Sequence, residues 1–214
     1  MELGSLVRRC LGPRLARRVG GYYRAIYVDL AKVAAALAPV IPRDAHMLDV
    51  GGGDGQPINH LLSLRPDLTI TTLDPAPAVG QWVDPRYDGQ VKRLPRSSLA
   101  DFVTSAHAPV DVILIADVMH HIPTSARHKF LDSVRVLLER VPGMRIIVKD
   151  VEPGHWRALL GLWSDRYVTG DRNVSLISRD DVTRLFEEIL GPLHREDTNL
   201  FKIDRPNYAI VFRR

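Results

Sequence analysis

Apolar residues along this 214-residue chain recur with two periods, one typical of β-strands and the other of helices. Short apolar runs with strand character occupy residues 46–51, 69–74, 90–94, 110–117 and 145–150. Segments with apolar positions three or four residues apart occupy residues 56–64, 125–140 and 178–190. The run at 110–117 is almost wholly apolar, as in a parallel strand that is covered on both faces. Strands and helices in alternation predict a doubly wound α/β fold whose sheet is mostly parallel.

The two ends of the chain depart from this alternation. Residues 3–19 are basic and weakly amphipathic, which predicts a short surface helix and leaves open a cofactor lid, a homodimer contact or association with anionic lipid. One apolar stripe over residues 22–38, stopped by Pro39, predicts a second helix, so that residues 1–42 form a helical N-terminal extension. Residues 193–203 and 208–212 predict a closing hairpin, which makes the sheet seven-stranded with an antiparallel last strand.

Composition narrows the class of partner. A formal charge of +4 is only mildly basic, and no dense Lys/Arg run with interleaved aromatics lies beyond the first twenty residues, which argues against nucleic acid. The single cysteine, Cys10, excludes an intrachain disulfide and a cysteine-based metal site, in keeping with a cytoplasmic location. No apolar stretch reaches the length of a membrane span. We expect one domain over residues 1–214 that acts on a small molecule.

A glycine-rich turn follows the first strand. Glycines stand at positions 51, 53 and 55, whereas the dinucleotide fingerprint G-x-G-x-x-G would need a glycine in place of Gln56. The acids at positions 49 and 54 would repel a pyrophosphate but suit a cationic ligand, such as the ammonium and sulfonium of S-adenosylmethionine. Asp74 ends the second strand, where a carboxylate can accept hydrogen bonds from both ribose hydroxyls.

With these motifs the sequence resembles the class I S-adenosylmethionine-dependent methyltransferases, in particular the small-molecule group with Asp-x-x-His-His after the fourth strand. The resemblance rests on residues 49–55, on Leu73-Asp74 and on residues 111–122, and it implies a Rossmann-like fold with a reversed last strand. It implies that the cofactor is bound by Asp49, Gly51, Gly53, Asp54, Gly55 and Asp74. One departure is residues 94–99, which lack the acid that often contacts the adenine.

The reaction that the resemblance implies needs an aligned acceptor and often a base that takes its proton. His120 and His121 are the candidates, with Asp117 beside them, and we slightly favour His121. The alternative is that one histidine only caps or packs against the next helix.

Two acids end neighbouring strands and could share a metal ion. Asp117 and Asp150 together could bind Mg²⁺, with acceptor oxygens and water completing its shell. The alternative is that Lys149 pairs with Asp150 and that no metal is used.

The acceptor side is predicted from the long connection at residues 151–177, which we expect to be a lid. Residues expected to contact the acceptor are Lys149, Glu152, His155 and Trp156. A polar, acidic pocket beside tryptophan suits a saccharide, while a phenol or a natural-product alcohol stays open. We therefore expect O-methylation of a small polar hydroxyl compound. The alternatives are a non-catalytic S-adenosylmethionine-binding sensor or scaffold and an NAD-linked oxidoreductase.

Overall fold

The computed structural model describes residues 28–105, 107–164 and 174–214, and its centre is a seven-stranded sheet. The strands are β1 (His46–Val50), β2 (Thr69–Asp74), β3 (Val91–Pro95), β4 (Val112–Ala116), β5 (Arg145–Val151), β6 (His194–Asp197) and β7 (Asn207–Arg213). Their order across the sheet is β3-β2-β1-β4-β5-β7-β6. Strands β1 to β5 pair in parallel, while β7 is antiparallel to both β5 and β6. The predicted fold class is confirmed.

Helices cover both faces of the sheet. They are α1 (Leu30–Leu37), α2 (Gln56–Leu64), α3 (Leu99–Thr104), α4 (Thr124–Arg140), α5 (Trp156–Ser164), α6 (Arg179–Leu190) and α7 (Leu200–Ile203), with 3₁₀ turns at Ala38–Val40, Pro85–Tyr87 and Met119–His121. On one face α3, α4 and α6 bury Phe102, Leu131 and Phe186 against the strands. On the other face α1, α2 and α7 pack in a second apolar cluster around Leu62 and Leu200. None of the helices in the described ranges combines the length and the apolarity needed to cross a membrane.

Two predicted elements are corrected. In the described part of the helix expected over residues 22–38, α1 begins at Leu30, because Asp29 is extended and its carboxylate accepts hydrogen bonds from the backbone N–H groups of Ala31 and Lys32. Residues 1–27, and with them the predicted basic helix, lie outside the described residues. The strand expected over 193–203 ends at Asp197, and α7 follows in its place. The short β6 is exposed along most of its length and pairs along one edge with β7.

Candidate active site

A cavity of about 650 Å³ opens at the carboxyl ends of the central strands. It lies where the strand order reverses between β1 and β4, the place at which open α/β sheets bind ligands. The loops after β1 and β2 and the beginning of α2 contribute Gly51, Gly52, Gly53, Asp54, Pro57, Asp74 and Pro75 to its lining. The other lining residues are Val28, Leu30, Ala116, Asp117, Val118, His120, His121, Ile122, Lys149, Val151, Arg157, Ala158, Gly161, Leu162, Leu176 and Asn207.

The glycine loop is tied to the end of β2. The backbone N–H groups of Gly51 and Gly52 donate to the carbonyl oxygen of Leu73 at 2.8 and 3.1 Å. The N–H of Gly53 donates to Asp74 Oδ2 at 3.1 Å, and the other carboxylate oxygen of Asp74 accepts from the N–H of Ala76 at 2.8 Å. One carboxylate therefore holds the loops after β1 and β2 together at the cavity edge.

Asp49 lies beneath this loop and does not line the cavity. Its carboxylate accepts a hydrogen bond from Thr72 Oγ1 at 2.9 Å, and both side chains pack directly under Gly52. Burial raises the pKa of Asp49 to about 6, against the lowering effect of the Thr72 hydroxyl and with a smaller raising effect from the charge of Asp74. Asp49 thus supports the loop from below.

The two remaining loop residues of the predicted cofactor site differ in position. Asp54 lines the cavity, and its carboxylate accepts a hydrogen bond from the N–H of Gln56 at 2.9 Å, at the start of α2. Gly55 lies outside the cavity wall, with φ at 81°, and its Cα faces Gly80 and Val83. It serves the turn and the packing of the loop.

His120 and Asp150 form a buried pair at the cavity floor. His120 Nδ1 lies 2.6 Å from Asp150 Oδ1, and the exposed fractions of the two residues are 4% and 0%. Asp150 also accepts hydrogen bonds from the backbone N–H groups of His120 and Val151, at 3.3 and 2.8 Å. Because a carboxylate can only accept, Nδ1 carries the proton, and Nε2 is the nitrogen able to take a second one. His121 also lines the cavity, with its ring 4.2 Å from that of His120, but the carboxylate orients His120.

Lys149 pairs with Asp117, which corrects the alternative in which it pairs with Asp150. The Lys149 ammonium lies 2.6 and 2.8 Å from the two carboxylate oxygens of Asp117, and Lys149 is only 1% exposed. Asp117 reaches it from a left-handed backbone conformation with φ at 57°. The ammonium of Lys149 thus neutralises the charge of the Asp117 carboxylate at the end of β4.

Asp117 and Asp150 were the two residues predicted as possible ligands of Mg²⁺. Asp117, His120 and Asp150 offer ligand atoms within 4.8 Å of one another. However, Lys149 binds both oxygens of Asp117, and three N–H groups bind Asp150. Mg²⁺ requires oxygen ligands in an octahedral shell and would have to displace this lysine. The residues present do not fit a magnesium site.

Much of the remaining cavity lining is apolar. Helix α5 contributes Arg157, Ala158, Gly161 and Leu162, and the residues at the beginning of α1 contribute Val28 and Leu30. The sequence did not single out these residues, although the three- and four-residue spacing of 158, 161 and 162 marks one helix face.

Three of the four residues expected to contact the acceptor lie elsewhere. Trp156 is 60% exposed, on the outer side of α5. Glu152 accepts a hydrogen bond from the N–H of Arg179 at 2.9 Å, at the start of α6, and His155 Nδ1 accepts from the N–H of Arg157 at 3.2 Å. Of the four residues expected to contact the acceptor, only Lys149 lines the cavity. Of the expected lid over 151–177, residues 165–173 lie outside the described part of the chain.

A family model described as a methyltransferase domain matches residues 22–189. The chain belongs to this family. No curated protein matches the chain. Solved structures with the same fold include a putative O-methyltransferase from Nostoc punctiforme PCC 73102, at 15% identity and a TM-score of 0.67, over 91% of this chain and 59% of that one.

Two further structures of this methyltransferase fold hold a ligand. The human N-acetylserotonin methyltransferase in complex with SAM has 19% identity and a TM-score of 0.64, over 97% of this chain and 57% of that one. The 1,6-didemethyltoxoflavin-N1-methyltransferase of Burkholderia thailandensis, with 1,6-didemethyltoxoflavin and S-adenosylhomocysteine bound, has 16% identity and a TM-score of 0.62, over 86% and 78%. This methyltransferase domain spans about three fifths of the Nostoc and human chains.

Proposed function

We propose that this methyltransferase domain transfers the methyl group of S-adenosylmethionine to a hydroxyl group of a small, largely apolar acceptor, such as a phenol or a natural-product alcohol. The observation that carries the proposal is the His120–Asp150 pair, which faces the same cavity as the glycine loop. A buried carboxylate that orients an imidazole beside a nucleotide-type loop is the arrangement that acceptor deprotonation needs.

The glycine loop and Asp74 would hold S-adenosylmethionine. Asp74 stands at the end of β2, in the position from which a carboxylate can bind ribose hydroxyls. The same carboxylate also accepts the hydrogen bond from the N–H of Gly53. Asp54 places a second carboxylate on the cavity wall, which suits the positive charges of the methionine part. Two of the similar structures hold SAM or S-adenosylhomocysteine, which supports this assignment.

The cofactor would supply an electrophilic methyl group, and the residues of this chain would prepare the acceptor. In the proposed step His120 Nε2 takes the proton of the acceptor hydroxyl while the oxygen forms a bond to the methyl carbon and the carbon–sulfur bond breaks. Asp150 stabilises the imidazolium that results, as a carboxylate does for a general-base histidine. The Lys149–Asp117 pair lies beside this position, and the proposed step uses no metal ion there.

The walls of the cavity favour an apolar acceptor over a saccharide. Ile122, Ala158, Leu162 and Leu176 contribute apolar side chains to the lining. A saccharide would place several hydroxyls against these side chains, and each hydroxyl that loses water without a new hydrogen bond costs about 1–3 kcal/mol. A phenol brings one hydroxyl to His120 and an apolar ring to the wall.

The proposal is tested first by binding and then by turnover. Thermal-shift titrations with S-adenosylmethionine, S-adenosylhomocysteine and NAD should show stabilisation by the two sulfur nucleotides alone. Methyl transfer from labelled S-adenosylmethionine is then measured with a panel of phenols, alcohols and monosaccharides, with Asp197→Asn, a surface carboxylate change, as the control. Stabilisation by NAD only would favour an oxidoreductase. Binding without transfer to any hydroxyl would favour a sensor and would contradict the proposed reaction.

A further inference from the structure

Asp204 is a buried carboxylate that joins three distant parts of the chain. It lies between α7 and β7 and is 3% exposed. Its Oδ2 accepts hydrogen bonds from the backbone N–H of Asp29 at 3.0 Å and from Asn207 Nδ2 at 3.1 Å. Its Oδ1 accepts from both terminal nitrogens of Arg157, each at 3.1 Å. The Arg157 guanidinium also donates to the carbonyl oxygen of Arg205.

Each group that Asp204 holds belongs to the acceptor wall. Asp29 stands between Val28 and Leu30, which line the cavity, and Arg157 and Asn207 line it themselves. Arg157 lies in the first turn of α5, so its position also sets that of Ala158 and of the rest of the helix. The Asp29 contact spans 175 residues of sequence and the Arg157 contact 47.

We propose that Asp204 is a positioning residue that fixes two walls of the acceptor site, the residues at the beginning of α1 and helix α5. The proposal rests on the proposed function in that it takes this end of the cavity to be where the acceptor binds. Asp204 does not line the cavity and acts through Arg157, Asn207 and the backbone of Asp29.

Because Asp204 is buried, its hydrogen bonds are costly to lose. Inside a protein, a hydrogen bond to a charged carboxylate stabilises the fold more than a hydrogen bond to a neutral oxygen. When the carboxylate is removed, each N–H group that donated to it is left buried without a partner. Asp204→Asn keeps the shape of the side chain but removes the charge and leaves a single acceptor oxygen. That oxygen can face either the backbone N–H of Asp29 or the guanidinium of Arg157, and the NH₂ then faces the other donor. Both walls therefore loosen, one because its acceptor is no longer charged and the other because its acceptor is lost.

Hydrogen exchange on the full-length chain tests the loosening without any acceptor. Asp204→Asn should speed exchange by about tenfold or more in residues 30–37 and 156–164 alike, and leave α2 and α6 within about twofold of wild type. Arg157→Met should speed exchange in 156–164 alone, because Asp29 keeps its contact, and Arg157→Lys should restore most of the protection. Asp197→Asn, a carboxylate of β6 that pairs with Arg195 on the surface, is the matched control. Unchanged exchange in Asp204→Asn, or a rise spread over the whole chain, would overturn the proposal.

Kinetics then test the positioning role in catalysis. With the phenol that the wild-type protein methylates best, Asp204→Asn should raise the KM for the phenol about tenfold, with the Kd of S-adenosylhomocysteine and the kcat at saturating phenol within about threefold. Equal losses of phenol and nucleotide binding would contradict it, since a general folding defect affects both. The two failures are distinguishable. If no hydroxyl compound is methylated, the proposed function is wrong. If hydrogen exchange in Asp204→Asn equals that of the wild type, the role proposed for Asp204 is wrong. If Asp204→Asn does not fold, the two Arg157 variants carry both measurements.

Discussion

Gly52 is the loop position at which a single methyl group should do the most damage. A Cβ built on Gly52 would overlap Thr72 Oγ1 and Asp49 Oδ2 and would lie 3.2 Å from Thr72 Cβ. These two side chains are buried and hydrogen-bonded to each other, so neither can turn away at low cost. In Gly52→Ala the loop itself must therefore move, away from β2 and into the cavity.

The size of the effect follows from what resists the overlap. Forcing an extra methyl group into a well-packed site costs about 1–3 kcal/mol. If the folded chain keeps the strain, the melting temperature falls by about 2–4 °C per kcal/mol for a chain of this size. If the loop shifts and relieves it, the loss appears in the affinity for S-adenosylmethionine, as about fivefold to 150-fold weaker binding.

Calorimetric titration with S-adenosylmethionine and thermal unfolding of the free protein separate these two outcomes. Gly89→Ala is the control, since a Cβ on Gly89 meets no atom within 4 Å and the same methyl group is added. Adding Thr72→Ala to Gly52→Ala removes one of the two overlapping atoms and should recover part of the loss. If Gly52→Ala matched Gly89→Ala in both measurements, the close approach of loop and strand would be refuted.

Three further predictions concern the acids and bases of the site. His120→Ala should lower kcat about 10²–10⁴-fold while S-adenosylmethionine still binds, and Asp150→Asn should also slow turnover with binding intact; normal turnover in either variant would contradict the base assignment. Chelation with EDTA should leave wild-type turnover unchanged, because Lys149 already binds both oxygens of Asp117; loss of activity that Mg²⁺ restores would show a metal site. Burial raises the pKa of Asp49 from 3.8 to about 6. Between these two values the folded chain keeps a proton that the unfolded chain has released. The free energy of unfolding should therefore fall by up to about 3 kcal/mol as the pH rises from 3.8 to about 6. Urea unfolding at several pH values should show this fall in the wild type and a flatter profile in Asp49→Asn; equal profiles would rule out the assignment to Asp49.

The fold could be predicted from the sequence because its signals are local. The bounds of β2 and α2 agree with the prediction to the residue, since each element begins and ends at turn-forming residues beside a strong apolar pattern. The start of α1 was wrong because the side chain of Asp29 competes with the helix for the same backbone N–H groups, while the apolar spacing continues through it. The stripe at 22–38 could not show where the helix begins.

Several predicted residues line the cavity, but their pairing was not predicted. Lys149 and Asp150 are neighbours in β5, and neighbouring side chains of a strand point to opposite faces of the sheet. Lys149 therefore meets Asp117, and Asp150 meets His120, each pair on its own side. Strand alternation alone argued against a Lys149–Asp150 pair. The choice between the two histidines needed the structure, because it depends on which ring the buried carboxylate reaches.

The orientation of α5 shows why the acceptor wall could not be read from hydrophobicity. Trp156 and Trp163 are among the largest apolar side chains of the helix, yet they are 60% and 54% exposed, while Ala158 and Gly161 face the cavity. Turning the helix to bury the tryptophans would carry Arg157 away from Asp204 and leave that carboxylate buried without its cation, at a cost of about 3–5 kcal/mol. Arg157 instead stays with Asp204, and the small residues of the same helix line the cavity through a contact to a carboxylate 47 residues further along the chain.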